Sequence, residues 1–163
     1  MARLVTVKKS VRVPVILRHR AIDVKHDDVS RVVAKFKARA TLYMKDAVGL
    51  AGNQVGMKEY IFMAKILPYS HYTNPFKIYI NASIVSVSLH ESGNFAESCL
   101  SLPGQSFNVI RPNEIRIKYL DYAAMIEVEE VHSGLDARII QHEMDHLAGV
   151  LISDKEKEYN RER

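Results

Sequence analysis

Residues 141–146 read QHEMDH, two histidines four residues apart with a glutamate directly after the first. On a helix, side chains at i and i+4 stand one above the other, so the imidazoles of His142 and His146 can reach one metal ion. Glu143 then lies beside the ion's open coordination position, where it can exchange a proton with water. Two histidines leave a catalytic tetrahedral site one protein ligand short, because the fourth position belongs to water or substrate. Asp154, Glu156, Glu158 and Glu162 follow, but they belong to a stretch that reads as a solvated charged tail. The better third ligand lies upstream, in Glu97-Ser98-Cys99-Leu100-Ser101-Leu102-Pro103-Gly104. Cys99 is the only cysteine of the chain. It has no partner for an internal disulfide and, taken alone, reads as a small buried hydrophobe. Beside an HExxH helix it gains a second reading as a ligand, since a thiolate binds zinc or iron(II) well and the metal stabilises its deprotonated form.

The elements that must position these groups follow from periodicity. A last helix is predicted from Ser133 or Gly134 to about Leu151. At about 100° per residue, Ile140, Met144, Leu147, Ala148 and Leu151 gather on one side, with Ile139 and Val150 at its edge. Arg138, Gln141 and Asp145 form the opposite side, which the pattern assigns to solvent. Glu143 falls inside the apolar sector, where an unpaired carboxylate costs several kcal/mol or shifts its pKa towards the neutral form. That placement favours a working group. A first helix is predicted from about Asp27 to about Met44, capped by Asp27 or Asp28, with Val29, Val32, Val33, Phe36 and Ala40 on one face. Ala47–Gln54 is too rich in glycine and small residues for a helix interior and reads as a loop that something else approaches closely. Strands are predicted at Tyr60–Ala64, Ile78–Asn81 and Ile84–Leu89. Residues 114–119 alternate, with Ile115, Ile117 and Tyr119 on one face, and Asp121–Ala124 turns the chain into a partner strand at Met125–Val131. Mostly antiparallel sheets around a C-terminal HExxH helix, with an N-terminal helix, make an α+β fold.

At 163 residues the chain fits one domain, 1–163, with a core that needs no disulfide. No stretch approaches the roughly 20 apolar residues of a membrane span, and the N-terminus lacks a secretory apolar region, so a cytoplasmic location and no membrane partner are expected. The formal charge of +4 is spread along the chain. A nucleic-acid-binding domain should cluster its lysines and arginines with exposed aromatics, so no direct nucleic-acid readout is expected.

The three motifs together resemble the peptide deformylase family, whose signatures are written GxGxAAxQ, EGCLS and QHExDH. Here they stand at Ala47–Gln54, Glu97–Ser101 and Gln141–His146, in the family's order. Pro103-Gly104, Arg111-Pro112 and the Ile115/Ile117/Tyr119/Asp121 alternation extend the likeness over roughly residues 10–153. The resemblance implies a hydrolase that removes the N-formyl group from N-formyl-methionyl nascent peptides. It assigns Cys99, His142 and His146 to the metal and Glu143 to general acid–base work. Gln54 and the Leu100 N–H would serve the developing oxyanion. Val48, Gly49 and Ser98 would align the substrate backbone, and Leu135, Arg138 and Ile139 would line or border the pocket for its first side chain. It implies iron(II) as the native ion, with zinc, nickel or cobalt as substitutes. A monomer is expected.

The family loop's first glycine is Ala47 here and its second alanine is Gly52, and EGCLS has become ESCLS. Where many bacterial members carry an arginine after CLS, this chain reads Gln105-Ser106-Phe107. Longer members dock near the ribosomal exit tunnel through an extended C-terminal helix. Only KEKEYNRER follows Asp154, which leaves the ribosome a weaker expected partner than the peptide. Short forms include phage- and organelle-associated ones. An HExxH endopeptidase would need a further ligand downstream, where none is well placed. A catalytically inactive deformylase-like binding protein should lack a ligand or the glutamate, and all four are present.

Overall fold

The computed structural model describes residues 3–6, 13–66 and 76–161. Its elements run α1 (Val29–Ala40), β1 (Gly49–Ala51), β2 (Ile61–Lys65), β3 (Phe76–Val87), β4 (Glu91–Ser98), β5 (Ser106–Pro112), β6 (Glu114–Asp121), β7 (Ile126–Ser133), α2 (Gly134–Leu147) and α3 (Ile152–Arg161). The fold is α+β. Five strands form one sheet in the order β1-β2-β3-β6-β7, and β4 and β5 pair as a separate hairpin. Every ladder is antiparallel. None of the described helices is long and apolar enough to cross a membrane.

The period of two along β2 explains how the sheet serves two cores. Ile61 and Met63 point to the side where Val29, Val32, Val33, Phe36 and Ala40 of α1 pack. Phe62 and Ala64 point the other way, joining Tyr79, Ile115, Ile117 and Tyr119 against Ala137, Ile140 and Leu147 of α2. Each such fully buried aliphatic side chain contributes about 1.5–3 kcal/mol. The HExxH helix is therefore fixed across a rigid sheet. A third cluster gathers Cys99, Leu102 and Val109 with Leu17, Leu151 and Ile152, so the cysteine loop is tied to the start of α3.

Several boundaries differ from those that periodicity predicts. α1 is shorter than expected and follows a 3-10 turn at His26–Asp28. Asp28 is its N-cap residue but makes no side-chain cap, because its carboxylate pairs with Arg31. The expected strands at 78–81 and 84–89 are one strand, β3, with register shifts on the β6 side between Ile80 and Ser83 and between Ile84 and Ser86. The β4–β5 hairpin is not among the expected elements, since ESGNFAES lacks an apolar alternation. α2 stops at Leu147, and Ala148 lies exposed in the turn beyond it. The stretch expected to be a solvated tail forms α3, whose first residue, Ile152, is buried. Of the tail acids, Glu162 lies outside the described residues.

Candidate active site

Three elements converge on a cavity of about 680 Å³. α2 supplies His142, Glu143 and His146. The end of β4 and the turn after it supply Glu97, Ser98, Cys99 and Leu100. β1 and the 3-10 turn Gly52–Val55 supply Gly49 and Gln54. The region expected to be a loop thus contains a short strand and a turn, and it is approached as closely as expected. A Cβ built on Gly49 would lie 2.3 Å from Glu143 Oε1. At Gly52 it would lie 3.1 Å from the Glu59 and Ile61 carbonyl oxygens, so the second departure from the family loop relieves crowding here.

The metal-ligand candidates are brought together. The ligand atoms of Cys99, His142 and His146 lie within 4.8 Å of one another, and Cys99 Sγ is 3.1 Å from His146 Nε2. The Ser101 backbone N–H donates to the same sulfur at 3.4 Å. The His142 ring nitrogen Nδ1 is 2.9 Å from Glu97 Oε2; with the Nδ1 proton on that carboxylate, Nε2 keeps the lone pair a metal ion would take. One thiolate and two imidazoles in such proximity fit a single divalent ion. His146 Nδ1 is buried without a hydrogen-bond partner.

Glu97 is the hub behind this face. Its carboxylate takes bonds from Arg111 Nε at 2.7 Å and Nη2 at 3.0 Å and from Arg138 Nη1 at 2.5 Å. Arg111 also donates to Asp145 at 2.7 Å, and the Gln141 side chain donates to the Pro112 carbonyl at 3.0 Å. The side of α2 assigned to solvent is therefore stitched to β4 and β5. Arg138 and Gln141 are buried, and Asp145 is half-buried. Helical periodicity separates polar from apolar residues correctly, but it carries no sign of a second polar layer covering them. Neither Glu97 nor Arg111 has a role in the expectations drawn from the motifs. The one available signal is an acid two residues before the cysteine.

Burial alone would raise the Glu97 carboxyl, but His142 and Arg111 hold it well below the usual carboxylate range. Burial opposes a charge on His142, yet Cys99 and Glu97 outweigh it and raise its pKa to about 10. An ion binding there must displace that proton. His146 is pushed down by burial and by His142. Glu143 is 3% exposed, and burial pushes its carboxyl up to about 7. Its Oε2 has no hydrogen-bond partner. A carboxyl poised near neutrality can both take and return a proton.

The other residues expected at the site also border the cavity. Val48, Gly49, Ser98, Leu100, Leu135, Arg138 and Ile139 all line it. Val48 and Leu135 are each 54% exposed at its mouth, and Ile139 is buried. Arg138 turns its guanidinium away to Glu97, the Val109 carbonyl and the Phe95 ring. Ser98 does not adopt a positive φ, so serine stands without strain where the family pattern has glycine.

A family model described as Polypeptide deformylase matches residues 1–162. Peptide deformylase of Prochlorococcus marinus (strain NATL2A) is 38% identical over 133 residues, which cover 81% of this chain and 63% of that protein. Peptide deformylase of Rickettsia canadensis (strain McKiel) is 40% identical over 118 residues, covering 70% of this chain and 66% of that protein. The matched region thus spans less than two thirds of these relatives. Among solved structures, peptide deformylase from Plasmodium falciparum superposes with a TM-score of 0.78 at 31% identity, covering 98% of this chain and 89% of that one. The Thermotoga maritima enzyme superposes with a TM-score of 0.75 at 30% identity, covering 95% and 97%.

Proposed function

The chain belongs to the polypeptide deformylase family, and we propose that it is a metal-dependent hydrolase that removes the N-formyl group from the formyl-methionine opening nascent polypeptides. The observation that carries this reading is the position of Glu143. It is a buried carboxyl, raised to about 7 and without a partner for Oε2, on the same turn of helix as two imidazoles that share a pocket with a cysteine sulfur. A structural carboxylate would be paired, as Glu97 is.

Cys99, His142 and His146 would hold the ion. When bound, a divalent ion makes hydroxide available from water at neutral pH and polarises the formyl oxygen. Glu143 takes a proton as the water oxygen adds to the formyl carbon. It returns that proton to the amine nitrogen as the C–N bond breaks, and formate and a free N-terminal amine result. The Gln54 side-chain amide and the Leu100 N–H donate to the oxygen that gains charge, and losing one such donor costs about 10²–10³ in rate. The main chain at Val48, Gly49 and Ser98 aligns the peptide between β1 and the end of β4. Leu135 and Ile139 receive the methionine side chain. Arg138 borders that pocket from behind by fixing Glu97.

Iron(II) is the proposed native ion, with zinc, nickel or cobalt as substitutes, since a thiolate and two imidazoles accept all four. The nascent peptide is the proposed partner, met in the cytoplasm by a monomer, with the ribosome as the site of encounter. The test is anaerobic purification with iron(II), then formate release from formyl-Met-Ala-Ser beside a Glu143→Ala control. Formate from the parent, none from the variant, and metal in both are the expected results. A folded, metal-loaded parent that releases no formate refutes the reading.

A further inference from the structure

The Gln54 side chain is fixed at both ends. Its Oε1 accepts from the Ala51 N–H at 2.8 Å, which settles which end of the amide is oxygen. Its Nε2 donates to Ser101 Oγ at 3.1 Å and lies 3.6 Å from Cys99 Sγ. Ser101 is fully buried, and its hydroxyl donates to the Val5 carbonyl at 2.8 Å. A hydroxyl has a single proton, so with that proton on Val5 the Ser101 oxygen can only accept from Gln54. The Val5 N–H in turn donates to the Gln54 backbone carbonyl at 2.7 Å. The next residue back is also held, with the Leu4 N–H donating to the Tyr43 hydroxyl at 2.6 Å. A closed ring of hydrogen bonds therefore joins three segments far apart in sequence, and Gln54 is the member that lines the cavity.

We infer that Ser101 is a positioning residue for Gln54, and that the main chain at Val5 sets the direction of the whole device. Its kinetic consequence rests on the hydrolase reading above. The bond from Ser101 to Val5 fixes Oγ as an acceptor, Oγ aims the amide nitrogen, and the aimed amide needs no reorientation when charge develops on the substrate oxygen. The terminal torsion of a glutamine is broad, so without the hydroxyl the amide swings about its remaining hold at Ala51. The donor is then misdirected but not removed. The Ser101 N–H to the cysteine sulfur, at 3.4 Å, is a main-chain contact that Ser101→Ala leaves in place, which separates amide aiming from metal retention.

The test combines a double-mutant cycle with a readout that needs no turnover. Ser101→Ala should lower kcat for formyl-Met-Ala-Ser about tenfold, less than the 10²–10³ of removing the donor outright, with KM and bound iron unchanged. In a Gln54→Ala background the same change should have no further effect, because the group it aims is gone. Ser101→Thr, which keeps the hydroxyl, should restore the rate, and a chain lacking residues 1–6 should reproduce the Ser101→Ala loss. Independently, the Gln54 side-chain amide protons, assigned by NMR through their disappearance in Gln54→Ala, should exchange slowly in the parent. They should exchange at least about tenfold faster without the hydroxyl. Additive losses in the cycle, or amide exchange indifferent to both Ser101→Ala and removal of residues 1–6, overturn the inference. A parent that releases no formate refutes the hydrolase reading, while the exchange measurement still decides the clamp. If Ser101→Ala fails to fold, the shortened chain with Ser101 intact carries the decision.

Discussion

His142 Nδ1 and Glu97 Oε2 stand 2.9 Å apart, and two arginines neutralise the same carboxylate from behind. This contact fixes the ring orientation and tautomer of a metal-ligand candidate, as outer partners of ligating histidines generally do. Glu97→Gln keeps the shape and removes the charge, leaving two buried guanidinium groups under-compensated. Breaking a buried pair in this way costs about 3–5 kcal/mol, and losing the histidine's partner lowers metal affinity about 10–100-fold. Thermal melting and iron content after dialysis against a chelator measure both. A variant that melts with the parent and keeps its iron would show that Glu97 plays neither part.

Gly49 offers a sharper steric test. The Cβ of Gly49→Ala would lie 2.3 Å from Glu143 Oε1 and 2.8 Å from its Cδ. Glu143 lines the cavity, so its carboxyl must shift towards that space and the proposed proton carrier leaves its place. A displacement of about 1 Å in a positioned group costs on the order of 10² in rate. The expected result is that loss in kcat, with iron still bound, because the clash touches none of the three candidate ligand atoms. Full activity in Gly49→Ala would mean that Glu143 is not held where it works.

Ser98→Gly restores the family's residue at a position that needs no positive φ. Glycine here raises chain entropy within a strand, a cost of about 0.5–1 kcal/mol, and gives up a long, exposed hydrogen bond from the Ser98 hydroxyl to Ser106 Oγ at 3.5 Å. Formate release should therefore stay at the parent level while the melting temperature falls slightly. A large gain in kcat would show that serine obstructs the substrate backbone.

The alternation in residues 114–119 is legible because each apolar residue faces a single core, and Ile115, Ile117 and Tyr119 are indeed buried. The placement of Glu143 in the apolar sector is legible for the same reason, since one helix face meets one sheet. Arg138 and Gln141 are buried against the expectation because the β4–β5 hairpin that covers them is held by polar contacts, which leave no hydrophobic period to read. Glu97 and Ser101 are visible as members of a motif, but their work depends on partners 14 and 96 residues away. No local pattern carries such distances.

Acid sensitivity should have a component outside the active site. On the sheet, Glu130 accepts from Lys77 and, at 3.0 Å, from the Tyr119 hydroxyl. Burial alone would raise this carboxyl, but Lys77 and Tyr119 hold it below its ordinary value of 4.5. A carboxylate with a depressed folded pKa contributes stability that is fully present above 4.5 and is lost as pH falls through the folded value. The neighbouring His132, pushed down chiefly by burial, loses stability in the same direction but from about its ordinary 6.5 downward. The gap in melting temperature between the parent and Glu130→Gln should therefore be fully open above pH 4.5 and close as pH falls below it. A constant difference across that range would assign the effect to packing.

The start of α3 is held by one carboxylate. Asp154 reaches back to the Leu151 N–H at 2.9 Å, pairs with Arg18, and places a negative charge in the first turn of the helix. Each of these favours the helix, through a satisfied terminal donor and the dipole. The anchoring matters because Leu151 and Ile152 pack in the cluster that contains Cys99. Asp154→Ala removes the acceptor and the charge and should cost about 1 kcal/mol, as lost caps do. Asp154→Asn keeps an oxygen for the Leu151 N–H and loses the charge, and with it the favourable term at the helix N-terminus and the pair with Arg18, whose side chain is 39% exposed and therefore well screened. The order of melting temperatures should be parent, then Asn, then Ala, with the first gap closing at high salt and the second persisting. Iron content should be unchanged in all three, because α3 braces the cysteine loop without supplying a ligand. An Asn variant as unstable as the Ala variant would assign the effect to the charge and not to the cap.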